Sequence, residues 1–295
     1  MPCSVCVTGR HIAGLAAVGD TCFVLDAVRR LTRISPGEKV LTEAIRVPSV
    51  GTLPFNQRAL LGGNVLHAQY GPPDNPALES RGQLIVRARP DGAILDTVTT
   101  LDVRGQLMRI RLGGEREVQM VQPFVELDRL AVAGRGGWMA IVRRPSSMYN
   151  ADVNTHVIEF SGPSGRSTVK RVLKPAALTD ATVNRWLDDQ AAELGRHISG
   201  GVSGARAAGA SALIRPPTHP AVRNAVIGED GTLWLLESPV GSTVDRWTLV
   251  SSDGIVVATV PLPAGGRLIA VSRRTAWVVR ERKDGEQELE RYRIP

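Results

Sequence analysis

The sequence predicts an all-β fold, a β-propeller of four-stranded blades with five blades visible and one inserted helix. Three observations predict it. An eight-residue pattern returns along the chain: GDTCFVLD at 19–26, DGTLWLLE at 230–237 and RRTAWVVR at 273–280. Each copy is a turn, then Thr, a large aromatic (Phe23, Trp234, Trp277), two aliphatics and a charged residue. A looser copy, GGNVLHAQ at 62–69, has Asn64 in the Thr slot. The second observation is spacing, since the first two copies start 43 residues apart and so do the last two. Repeats at this period mark propellers, whose blades cannot bury their faces alone. The third is a double series of turn signals. Gly19-Asp20, Gly62-Gly63, Gly136-Gly137, Asp230-Gly231 and Arg273-Arg274 open the octamers, and Pro36-Gly37, Asp91-Gly92, Ser164-Gly165 and Asp253-Gly254 follow downstream. Two hairpins per unit give four strands.

On this reading the whole chain, 1–295, is a single propeller domain. Blade one covers about 12–47, with strands near IAGLAAV, CFVLD, RLTRIS and VLTEAIRV. Blade two covers about 58–103, blade three about 124–174 and blade four about 222–262. The last, 267–294, offers three strands, and Ser4-Val5-Cys6-Val7 is the candidate for its fourth, because an unpaired edge is a liability. Two insertions break the rhythm. Residues 145–156 extend the loop between the middle strands of blade three. Residues 175–221 begin with a helical stretch whose Val183, Trp186, Leu187, Ala191 and Leu194 share one face, with Thr179 as N-cap and Gly195 as stop. Their second half, SGGVSGARAAGASAL, reads as flexible and low in complexity.

Composition bounds the function classes. Hydrophobic content of 43% with 22% charge is ordinary globular material. No apolar run is long enough to span a membrane, and the first residues do not read as a signal peptide. Net charge is +7, but 32 of the 36 basic residues are Arg and they are dispersed along the chain, so a nucleic-acid partner is not expected. Cys3, Cys6 and Cys22 form neither a disulfide framework nor a zinc site, since the lone C-x-x-C has no second half. No nucleophile elbow, phosphate loop, H-E-x-x-H or calcium loop occurs, and the five histidines lack metal-ligand spacing. No cofactor and no catalytic residue is assigned, and a monomer is expected.

The stretch 124–295 resembles bacterial six-bladed propeller proteins related in shape to NHL-repeat and TolB-like propellers, mostly uncharacterised. The resemblance rests on LAVAGRGGWMAIVRR, the helix at 179–194, HPAVRNAVIGEDGTLWL and the run from VDRWTLV to ELERYRI. It implies a fold and no catalytic residues. Residues 12–48 resemble the family's second blade, which implies that an N-terminal blade and a secretion signal precede this start in the natural protein, and a cell-envelope or periplasmic location in that case.

Two groups of residues are candidate binding sites. Arg143, Arg144, Tyr149, Asp152 and His156 lie in or beside the blade-three insertion, and loops on a rigid scaffold are where binding groups concentrate. Asp26, Glu237 and Arg280 end equivalent octamers, where a ring of polar groups could form on the long-loop face. The expected function is a non-enzymatic binding or scaffold propeller that recognises a peptide, glycan or protein partner on that face. The alternative is a metal-dependent propeller hydrolase or lactonase, which needs acidic or amide groups directed to the axis from at least three blades.

Overall fold

Alternating apolar runs joined by short turns close into hairpins, because neighbours in sequence pair at little cost in loop entropy. The computed structural model describes residues 12–18, 21–26, 30–34, 41–44, 60–62, 65–70, 83–88, 94–102, 105, 107–113, 116–133, 137–145, 154–196, 200–281 and 287–294. Strands β1 (Ile12–Val18), β2 (Thr21–Asp26), β3 (Arg30–Ile34) and β4 (Leu41–Ala44) form the first sheet. The second contains β5 (Leu60–Gly62), β6 (Val65–Tyr70), β7 (Gln83–Ala88) and β8 (Ile94–Leu101). A separate hairpin follows, β9 (Leu107–Gly113) with β10 (Arg116–Val121). The third sheet is β11 (Arg129–Val132), β12 (Met139–Arg143), β13 (Thr155–Gly162) and β14 (Gly165–Val172). The fourth is β15 (Asn224–Ile227), β16 (Leu233–Leu236), β17 (Val244–Val250) and β18 (Val256–Pro263). The fifth has three strands, β19 (Arg267–Ser272), β20 (Thr275–Glu281) and β21 (Gln287–Arg293).

Every strand pairs antiparallel with its sequence neighbour, and the octamer supplies the second strand of its sheet. The first strands meet in cyclic order: β1 touches β5, β5 touches β11, β11 touches β15, β15 touches β19 and β19 touches β1. The fold is all-β and propeller-like. The proposed fourth strand of the last sheet, Ser4–Val7, lies outside the described residues.

Burial follows from this stacking. All four residues of β16 are buried because both faces of its sheet are covered. Leu233 and Leu235 join a core with Ile158, Phe160 and Val250, between the third and fourth sheets. Trp234 and Leu236 point the other way, into a core with Leu268, Ala276 and Val278 between the fourth and fifth. Trp234 is fully buried beside Trp247, at 6.5 Å between ring centroids, so this octamer aromatic packs between sheets. Trp277 is half-buried instead, with the Arg291 guanidinium 5.5 Å above its ring.

Trp138, just ahead of β12, leans on a glycine of its own sheet and on one of the next. A Cβ at Gly162 would stand 2.3 Å from its ring, and one at Gly231 would stand 2.6 Å away. Gly231 also has φ of +76°, which only glycine adopts freely.

The insertion departs from expectation. Helix α1 (Asp180–Leu194) forms, with the Thr179 hydroxyl accepting the Thr182 N–H at 3.2 Å. The tract read as flexible is a second helix, α2 (Gly201–Ala212), so two helices replace the expected one among the described residues. Its alanines favour helix and its small Gly and Ala side chains allow close packing on α1. Gly209 comes near enough to Leu187 that an added Cβ would sit at 3.4 Å. Met108 and Ile110 of the β9–β10 hairpin join Phe124, Val183, Leu187 and Leu213 in a separate core. Hairpin and helices thus make one lateral module on the ring.

Candidate functional site

Strand direction sorts the loops by face. With four antiparallel strands per sheet, the turns between strands one and two, and between three and four, fall at one end. The loops between strands two and three, and the connections to the next sheet, fall at the other. Contacts align the second to fifth sheets in this sense. Asp102, after β8, meets Asp128, before β11. Glu126 meets Ala221 and Val222, before β15. At the opposite end the Arg273 N–H donates to Asp230, turn to turn, at 2.6 Å. The end of β12 and the start of β13, the segments 173–196 and 200–223 with the two helices, and the loop 237–243 therefore share one face.

Arg143, Arg144 and His156 come together on this face. Asp128 is buried where β11 begins, and its carboxylate accepts the backbone N–H of Asp102 at 2.9 Å and of Arg144 at 2.8 Å. Arg143 Nη1 adds a third bond at 3.0 Å and also donates to the Thr100 carbonyl at 2.7 Å. Nη2 donates to Thr99 Oγ1 at 2.7 Å, and Nε and Nη2 reach Glu159 at 3.2 and 3.3 Å. All five N–H groups of Arg143 are engaged within the chain, tying the second sheet to the third. Burial works against this cation, yet hydrogen bonds to Glu159 and Asp128 outweigh it and raise its pKa above the ordinary value. Arg144 grips Asp102 Oδ2 through Nη2 at 2.6 Å and Nε at 3.0 Å, and Nη1 donates to the Glu126 carbonyl at 3.0 Å. His156, 2% exposed, places Nε2 3.4 Å from Glu126 Oε1. The same carboxylate accepts the N–H groups of Ala221 and Val222, linking the third and fourth sheets. Tyr149 and Asp152 lie outside the described residues.

The octamer ends do not converge with this cluster. Glu237 accepts from Arg171 Nη2 of β14 at 3.0 Å and from Thr248 Oγ1 at 2.6 Å, so it pins the outer strand of the third sheet to the fourth. Arg280 Nε is 2.9 Å from Glu290 Oε2 on the adjacent strand β21, an ion pair without hydrogen-bond alignment. Asp26 ends β2, and its side chain lies outside the described residues. No three His, Cys, Asp or Glu side chains gather in a metal-ligating group among the described residues. No helix among them is long and apolar enough to cross a membrane.

Sequence reasoning missed a cleft of about 330 Å³ on the same face, between α1 and the loop 239–242. Thr182, Arg185, Trp186 and Asp189 line it from the helix, His219 from the connection ahead of β15, and Pro239–Ser242 from the loop. The face of α1 that buries Val183, Leu187 and Ala191 fixes its rotation, which leaves 182, 185, 186 and 189 along the cleft side. Trp186 is seated edge-on against Phe124 at 6.1 Å, and Phe124 meets the His219 ring at 5.9 Å. His219 is 5% exposed and its Nδ1 accepts the Val240 N–H at 3.3 Å. A backbone N–H can only donate, so the ring is neutral with its proton on Nε2. Burial, with the Arg223 guanidinium nearby, lowers its pKa below the ordinary histidine value, in keeping with that state. The only sequence signal at this site was the helix itself; His219 stands alone in RPPTHP.

No protein-family model matches the chain, and no curated protein matches it. Among solved structures it is similar to hydrazine synthase from Kuenenia stuttgartiensis, at 11% identity over 94% of this chain and 57% of that one, with a TM-score of 0.37. It is similar to a quinonprotein alcohol dehydrogenase-like protein from Bacteroides thetaiotaomicron, at 12% identity over 88% of this chain and 57% of that one, with a TM-score of 0.29. BamB from Moraxella catarrhalis matches at 12% identity over 93% of this chain and 70% of that one, with a TM-score of 0.25. The chain thus spans little more than half the length of the first two.

Proposed function

We propose that this chain is a non-enzymatic binding and scaffold protein that recognises a peptide, glycan or protein partner on the face carrying its long connections. The observation that carries this reading is the cleft on that face. It presents an aromatic surface and polar groups from a helix, a connection and a loop, which is how recognition sites are built. The polar ties of Arg143, Arg144, Asp128 and Glu126 support it in another way. They lock strand ends where loops leave the sheets, so a ligand need not order them on binding. The resemblance to NHL-like and TolB-like propellers agrees with a scaffold role, and Tyr149 and Asp152 are proposed as further binding residues.

The test is crosslinking by face. A photoreactive residue is placed at Ser242 on the long-loop face, or at Ile255 in the turn between β17 and β18 on the other. Each variant is probed with peptide and glycan arrays. Ligands captured from Ser242 and not from Ile255 are the expected result. Capture from Ile255 alone, or turnover of an arrayed compound by the purified protein, overturns the reading.

A further inference from the structure

The cleft beside α1 contains polar groups that the fold does not use. His219 is 95% buried by its 5% exposure, and its Nδ1 is committed to the Val240 N–H. Its Nε2–H has no partner among the described residues, and the residue lines the cleft. The Nδ1 bond fixes the tautomer, so this donor stays available at the cleft to a group from outside the chain. Arg185 and Asp189 line the same cleft, and neither makes an ion pair or hydrogen bond among the described residues. Of the other charges on α1, Asp188 is held by Arg206 at 2.6 Å and Asp180 lies 3.9 Å from Arg215, while Glu193, away from the cleft, makes no pair among the described residues. The unpaired charges on α1 thus include the two that face the cleft.

We propose that this cleft binds the C-terminal residue of a peptide, with its carboxylate on Arg185 and the His219 Nε2–H, its backbone N–H on Asp189, and its apolar side chain on Trp186. The assignment rests on the binding role proposed above and names its ligand class. The chemistry selects the class. A guanidinium and a neutral N–H donor together suit a carboxylate, where the guanidinium supplies charge and a planar fork. Asp189 would repel a bare anion, so the ligand must also bring a donor. On a helix, residues four apart have Cβ atoms about 5–6 Å apart, so acceptor and cation are neighbours on one wall of the cleft. A peptide terminus carries its N–H donor and its carboxylate on the same Cα, together with an apolar side chain. An Asp or Glu side chain puts its carboxylate further from the backbone N–H and carries no apolar branch for Trp186, Pro239 and Val240. The volume, about 330 Å³, accommodates one to two residues, with the preceding chain leaving through the open side.

The test uses N-acetyl-Gly-Gly-Xaa tripeptides, with Xaa Leu, Val or Phe, each as free acid and as C-terminal amide. Binding is followed by calorimetry and by the Trp186 indole N–H resonance, assigned with Trp186→Phe. At least one free acid is expected to bind and shift that resonance, and its amide to bind at least tenfold more weakly. N-acetyl-Asp-Gly-amide, which has only a side-chain carboxylate, is expected to bind no better than the amides. Arg185→Gln is exposed and leaves the fold intact, and it should weaken the free acid by about tenfold or more. His219→Asn retains an acceptor for the Val240 N–H while its shorter side chain withdraws the donor from the Nε2 position, and should weaken the free acid similarly with the melting temperature preserved. Equal binding of acid and amide, insensitivity to Arg185→Gln, or no resonance shift with any of the three acids overturns the assignment. If these fail while Ser242 still captures an arrayed ligand, the binding role stands and only the terminus assignment falls.

Discussion

Replacing Gly162 by Ala tests how tightly the third and fourth sheets are registered through Trp138. The new Cβ would stand 2.3 Å from Cε3, 2.4 Å from Cζ3 and 2.6 Å from Cδ2 of the indole, about 0.8–1.1 Å inside the 3.4 Å where ordinary contact begins. The indole is a rigid plate packed on the core that holds Ile158, Phe160 and Leu235, and it also meets Gly231 of the next sheet. Relief must therefore come from shifts in close-packed neighbours. Overpacking of this kind costs about 1–3 kcal/mol, and the depth of the overlap places Gly162→Ala at the upper end, about 2–3 kcal/mol. Loss of unfolded-chain freedom returns about 0.4–1 kcal/mol. The net loss is about 1–2.5 kcal/mol, a fall in melting temperature of roughly 2–10 °C for a chain of this size. The decisive comparison is a double-mutant cycle. In a Trp138→Ala background the overlap vanishes, so Gly162→Ala should become neutral or slightly stabilising. Gly231→Ala should recover only in part in that background, because its φ of +76° strains any side chain. The assay is scanning calorimetry of all variants at one protein concentration. An unchanged melting temperature for Gly162→Ala, or the same loss with and without the Trp138 ring, refutes the reasoning.

The docking of α1 makes a second prediction: Leu187, 1% exposed, should lose about 2–5 kcal/mol on truncation to Ala. Trp186→Ala should lose less, since its ring is only half-buried, and the reverse order in urea denaturation would mean that the helix is rotated from the observed seating. The third concerns pH. The folded His219 pKa lies below its ordinary value near 6.5, so the unfolded chain takes up this proton first as pH falls. Its contribution is absent above the unfolded pKa, and stability is lost progressively as pH drops from about 6.5 toward the lower folded value. Arg223 is the charged group that acts on it directly, and Arg185 and Asp189 line the same cleft. Melting temperatures at pH 7.5 and 5.5 should therefore differ more for the native chain than for His219→Asn, and equal differences would contradict the neutral, buried imidazole.

What the sequence by itself determined is what neighbours along the chain can encode. The octamers with Phe23, Trp234 and Trp277, and the Gly-containing turns around them, mark second strands and hairpins, because alternation and turn chemistry act between residues a few positions apart. Thr179 and the spacing of Val183, Leu187 and Ala191 announced α1 for the same reason. The tertiary structure alone decided the rest. Helix α2 carries no apolar stripe and its glycines disfavour a helix alone, so its helicity comes from close packing on α1 and the β9–β10 hairpin. That hairpin passed unnoticed between two better-marked repeats. Arg143 and Arg144 stood out as loop-base residues, but their partners Thr99, Asp102 and Asp128 come from another strand and another connection. The cleft gathers residues 185, 219 and 240 from three segments that no local pattern relates. Burial and an unused hydrogen-bond donor exist only once those segments meet, so the tautomer of His219 and the shape beside Trp186 belong to the folded chain.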